Sequence, residues 1–139
     1  MYRFIDRPIA GLAPGEQMLV WSMRAWVGAM TAQRCPCATL GPAFARWRVP
    51  ELLPDFNMTM FVLNGDGLRQ MRFGAGCAQV HDDEAMLLVL FHAAAGGDDR
   101  RVRRLAAQLV NGEALSAFIV AARQSADVLR RVATPRTPD

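Results

Sequence analysis

From Ala85 to Ala95 the chain is Ala, Met, Leu, Val and Phe throughout, with His92 as the single interruption. A helix that is apolar around its whole circumference belongs inside a protein. At about 14 residues, roughly 21 Å long, it falls short of the roughly 20 apolar residues that cross a bilayer, so burial by protein is expected. Asp82, Asp83 and Glu84 stand in the predicted first turn, where carboxylates cap free N–H groups and meet the positive end of the helix dipole. Gly96-Gly97 stops the helix, because glycine takes the left-handed conformation without a Cβ penalty. The pattern therefore predicts a helix over 82–95 with the other segments packed around it.

Those segments carry narrower stripes. Leu19, Met23, Trp26, Val27 and Met30 recur at steps of three and four, predicting a helix from Pro14, with Glu16 in its first turn, to about Gln33. Cys35-Pro36-Cys37 ends it, since proline pushes the preceding residue out of the α region. Trp21 lies off the stripe and either packs against a second neighbour or sits at a subunit interface. A short helix is expected around 42–47. Over 50–64 two periods compete: Phe56, Met58, Met60 and Val62 alternate as in a strand, whereas Leu52, Phe56, Met60 and Leu63 share a helical face, and helix is the choice here. Asn64-Gly65-Asp66-Gly67 then reads as a turn, and residues 68–73 as a short strand at most.

Asp98 and Asp99 offer N-caps for a helix to about residue 110 with an apolar face of Val102, Leu105, Ala106, Leu109 and Val110. The short Gly-Gly-Asp connection folds it back on the 82–95 helix as a helical hairpin. After the break at Asn111-Gly112, a stripe from Leu115 through Phe118, Ala122 and Leu129 carries a last helix to about Val132. The tail 134–139, TPRTPD, is expected to fray. The fold class is mainly α: one compact helical domain over 1–133, of five or six helices around a central apolar helix at 82–95, with at most a short strand near 68–73.

Composition adds little direction. A chain of 139 residues with 52% hydrophobic side chains fills the core of one domain. The net charge is +3 and all 16 basic residues are arginine; with abundant Ala and Gly this reflects a GC-rich coding genome as much as selected chemistry, so basicity is a weak sign of partner. MYRFIDRPIAG carries Asp6 and Pro8 and starts no apolar signal segment, and the stretch 18–32 contains Arg24. Cytoplasmic location without membrane insertion is expected, in keeping with three cysteines at irregular spacing.

Two constellations bear on chemistry. Cys35, Cys37, Cys77 and His81 form C-x-C and C-x3-H pairs of the soft and borderline ligands that hold zinc tetrahedrally. They make a metal site, for zinc or iron, if the two connections meet; otherwise the cysteines are small buried hydrophobes and His81 a helix-start residue. Arg100, Arg101, Arg103 and Arg104 occupy the outer side of their helix, an ordinary solvated face that also suits an anion or a nucleic acid. A helix-turn-helix over 99–131 is disfavoured, because the second helix begins with Ser116, Ala117, Val120 and Ala121 outward and offers no basic contacts. Asp82, Asp83 and Glu84 cannot converge on one centre from successive helical positions, and His92 reads as a buried, hydrogen-bonded histidine. No P-loop, dinucleotide fingerprint, nucleophile elbow or H-E-x-x-H pattern occurs, so nothing in the sequence argues for an enzyme.

The leading expectation is a small interaction or regulatory protein, a homodimer or the binder of a protein partner, acting through a helical surface that includes Trp21 and Trp47. Metal binding through Cys35, Cys37, Cys77 and His81 is the alternative, and anion or nucleic-acid binding through the arginine face a third reading.

Overall fold

Proline and glutamate set where the first helix begins. The computed structural model describes residues 3–132 except Arg69 and Ala75, so the expected frayed tail at 134–139 lies outside the described residues. Helix α1 spans Pro14–Thr31, with Pro14 in the first turn, where its missing N–H costs nothing. Glu16 reaches back to accept the Ala13 N–H at 2.9 Å. The helix closes without glycine: Gln33 takes a left-handed φ of 59°, and the Arg34 N–H returns to the Ala29 carbonyl at 2.8 Å.

Helix α2 spans Pro36–Arg46 and so starts earlier than expected, with Pro42 in its interior. Proline there removes one helical hydrogen bond and crowds the side chain before it. The residue before it is Gly41, which has no Cβ to crowd. A 3-10 turn, Pro50–Leu52, leads into α3, Leu53–Asp66; the helical period prevails over the alternating one, and the expected Asn-Gly-Asp turn is instead the last helical turn. Helix α4 is Asp82–Ala95, as its flanking signals foretold. Gly97 takes a φ of 76° there while the Asp98 N–H caps the Ala93 carbonyl at 3.0 Å. Helix α5 is Asp99–Ala107, with the Asp98 side chain accepting the Arg101 N–H at 3.2 Å.

The expected last helix divides into α6, Leu115–Ser125, and a closing turn α7, Val128–Arg131. The apolar stripe continues through the break, but α7 packs against α1 and α4. Gly15 makes this possible: a Cβ on it would stand 3.1 Å from both the Leu129 Cα and the Val128 carbonyl oxygen. The described residues of 68–73 form no strand. The pairing present is two isolated bridges, Gly67 with Val110 and Pro8 with Gln79, so the molecule is all-helical among the described residues.

The most extensive helix contact is α3 with α6, followed by α1 with α2 and α4 with α5, while α1 and α4 meet more narrowly. Helix α6 runs opposite to α3: the Ser125 hydroxyl at the end of α6 lies 3.4 Å from that of Thr59 midway along α3, and the Asn111 amide, ahead of α6, donates to Asp66 at the end of α3 at 3.0 Å. Helix α4 runs opposite to α1 and also meets α5, α6 and α7. Leu87, Leu88, Leu90 and Phe91 of α4 are fully buried together with Phe4 and Phe118. No described helix is long and apolar enough to cross a membrane.

Candidate functional site

Helices α1 and α4 each place a glutamate three residues after the N-cap and a basic side chain eight residues further on: Glu16 and Arg24 in α1, Glu84 and His92 in α4. Because the helices are antiparallel, the two sets cross. Arg24 Nε donates to Glu84 Oε2 at 2.7 Å and Nη2 to Oε1 at 2.9 Å. At the other end His92 Nε2 lies 2.6 Å from Glu16 Oε2. Each glutamate also accepts from the backbone at the start of its own helix, Glu16 from Ala13 N–H and Glu84 from His81 N–H, both at 2.9 Å. One carboxylate thus caps a helix and ties it to its neighbour.

The Arg24–Glu84 brace also holds a segment without regular structure. Glu84, fully buried, accepts the Gly74 N–H at 3.0 Å. Arg24 donates to the carbonyls of Cys77 at 2.6 Å and Gln79 at 2.9 Å. Burial pushes the Glu84 carboxyl up more strongly than any other single influence, but the Arg24 guanidinium and the N–H groups of His81 and Gly74 together outweigh it and hold the group below its ordinary value. The same bond to Glu84 raises Arg24 against its own desolvation. Asp83 accepts the Arg72 N–H at 2.6 Å. Two carboxylates in the first turn of α4 therefore grip the backbone on either side of Phe73. Gly74 is required: a Cβ there would overlap the His81 ring and stand 2.9 Å from Arg24 Nη2.

The gripped segment is one wall of a cleft of about 520 Å³ between α1, α3, Gly67 and residues 70–73. Trp26, Met60 and Leu63 are its buried floor. Val27, Met71 and Phe73 are half-buried sides, and Thr31, Asn64 and Gln70 stand exposed at the mouth. The Trp26 indole N–H donates to Asn57 Oδ1 at 2.8 Å, which fixes the ring.

The residues singled out from sequence are placed differently. Cys35 is the N-cap of α2 and Cys37 follows in its first turn, where burial first, and Cys35 next, hold the Cys37 thiol above its ordinary value. Cys77 is tied by its carbonyl to Arg24, seven residues, or about 10 Å of helix rise, before the end of α1. His81 packs its ring against Gly74. Among the described residues, no three His, Cys, Asp or Glu side chains form a group able to hold a metal ion, so the structure does not gather Cys35, Cys37, Cys77 and His81 into one site. Arg100, Arg101, Arg103 and Arg104 are all exposed and form no ion pair among the described residues, while the neighbouring Asp99 pairs with Arg123 at 2.7 Å. Trp21 is 43% exposed and stands edge-on to Trp47, ring centres 5.4 Å apart, so it has a second neighbour and an open face at once. The cleft and the crossed braces escaped the sequence reading; the equal spacing of Glu16 to Arg24 and Glu84 to His92 was the one signal of the braces.

No family model, no curated protein and no solved structure matches the chain.

Proposed function

We propose that the chain is a small interaction or regulatory module that receives a protein partner, a second copy of itself included, on the apolar outer surface of its α3 and α6 pair. The observation that carries this is the set of large side chains left outside a filled core: Phe61 is 60% exposed, Val120 54% and Met58 47%. Met58 and Phe61 lie one turn apart on α3, and Val120 is on the helix packed along it. Leu68, just past α3, is exposed as well. Large apolar groups left exposed on a packed helix pair suit a partner better than water.

Light scattering on the purified chain tests the self-association arm, and retention of a partner on immobilised chain tests the other. The expected result is a dimer, or a retained partner, that is lost in Phe61→Glu. A monomer at every concentration together with identical retention by both forms would overturn the reading. A second reading, anion or nucleic-acid binding, draws on α5: Arg100 and Arg104 are like charges at i, i+4, and cations in a first helical turn oppose the dipole. Binding to a duplex oligonucleotide that weakens steeply with salt and is lost in the Arg100→Ala, Arg104→Ala double variant would support it; salt-independent or absent binding would remove it.

A further inference from the structure

We infer that the cleft between α1, α3, Gly67 and the 70–73 segment is a binding site for a small uncharged molecule with a flat aromatic or branched apolar body and a hydrogen-bonding group at one end. The volume, about 520 Å³, falls within the range of roughly 300–1,000 Å³ that small-molecule sites occupy. The lining decides the chemistry. None of the described residues lining the cleft is charged, and an ion moved among them would lose hydration with no counter-charge from them to replace it. The ligand is therefore neutral.

The floor is apolar in effect as well as in composition. The one polar atom of Trp26 is already bonded to Asn57, and among the described residues no buried side-chain nitrogen or oxygen lacks a partner. Nothing at depth asks the ligand for a hydrogen bond. Met30, Met60 and Met71 add three polarisable thioethers, which adapt to irregular shapes and favour aromatic faces. At the mouth the situation reverses: the Thr31 hydroxyl and the Asn64 and Gln70 amides supply donors and acceptors, and their side chains hold no hydrogen bond among the described residues. The polar end of the ligand accordingly faces outward. The wall opposite α1 is set in advance, because the Arg72 and Gly74 N–H groups are held by Asp83 and Glu84, which lowers the ordering cost of binding. Phe61, Met58 and Val120 do not line this site, which does not depend on a protein partner on the outer face of α3 and α6.

A matched pair of fluorescent probes tests it. N-phenyl-1-naphthylamine is neutral, and 8-anilino-1-naphthalenesulfonate is the same ring body carrying a sulfonate. The expected result is one equivalent of the neutral probe per chain, with the sulfonate bound at least about tenfold more weakly. Val27→Trp, which fills the cleft from its side, and Met30→Trp, which fills it from the exposed mouth, should each weaken the neutral probe by about tenfold or more with helix content unchanged. Phe61→Glu should leave it unaffected. No saturable binding, equal affinity for the two probes, or full binding in both filled variants at native helix content would overturn the proposal. Loss of the probe in Phe61→Glu would also overturn it, by placing the probe on the outer face.

Discussion

The two braces between α1 and α4 share spacing and helix position yet differ in what depends on them. Glu84 is fully buried and accepts four hydrogen bonds, two from Arg24 and one each from Gly74 and His81. Arg24 uses two of its three remaining donors on the Cys77 and Gln79 carbonyls. Its charge is permanent, and the pair ties down Gly74, Cys77, Gln79 and His81, while Ala78 and Val80 are bonded to the N-terminal arm. Glu16–His92 has a single contact between the side chains and is an ion pair only when the imidazole is protonated. His92 stacks on Phe4, ring centres 5.4 Å apart, and its side chain is 29% exposed. The lesson is that a buried pair is worth what it organises: removing one partner of a fully bonded pair strands a charge, whereas loosening the half-exposed pair lets water take over.

The largest expected effect is therefore at Glu84. Arg24→Ala should cost about 3–5 kcal/mol of unfolding free energy in urea, because it leaves Glu84 buried and uncompensated, and Glu84→Ala a comparable amount, because it strands the Gly74 and His81 N–H groups together with two donors of Arg24. Acid should act on the same pair. The folded-state value of Glu84 is lowered, so the unfolded chain binds the proton more readily. The stabilisation is then present above the ordinary carboxylate range and is lost as pH falls through the folded-state value. Glu84→Gln should flatten the acid limb of a stability–pH curve; an unchanged slope would place acid sensitivity elsewhere.

Gly74→Ala comes next, at about 1–3 kcal/mol, since the new methyl displaces the His81 ring and presses on Arg24. A loss of that size with α2 and α5 amide exchange unchanged would confine the damage to the gripped segment. His92→Ala should cost less, about 1–2 kcal/mol, for one lost charged hydrogen bond and the Phe4 stack. If it equals Glu84→Ala, the ranking of the two braces fails. The smallest effect is expected on the α5 surface, where Arg101→Ala should stay within about 0.5 kcal/mol.

Local signals explain what could be read from the chain. The 82–95 helix was bounded by acids at one end and a glycine pair at the other, and residues 53–66 by a helical stripe that outweighed alternation. Apolar periodicity could not show the break after Ser125, because the stripe continues while the backbone turns to pass Gly15. Pro42 looked like a helix start and is an interior residue, tolerated behind Gly41. The braces were half visible: Glu16 and Arg24 stand eight residues apart, as do Glu84 and His92, but a single sequence does not say that α1 lies antiparallel beside α4. The cleft was hidden for a related reason, since Trp26, Met60 and Phe73 belong to three separate segments. The cysteine and histidine cluster depended on two connections meeting, and the structure instead spends Arg24 on one of them.

A pair of double-mutant cycles on urea unfolding, one with Arg24→Ala and Glu84→Ala and the other with Glu16→Ala and His92→Ala, tests the central claim most directly. The predicted result is a coupling energy of about 2–3 kcal/mol for Arg24 with Glu84 and about 1 kcal/mol or less for Glu16 with His92. Equal couplings, or a value near zero for Arg24 with Glu84, would contradict the account and reduce that brace to ordinary helix packing.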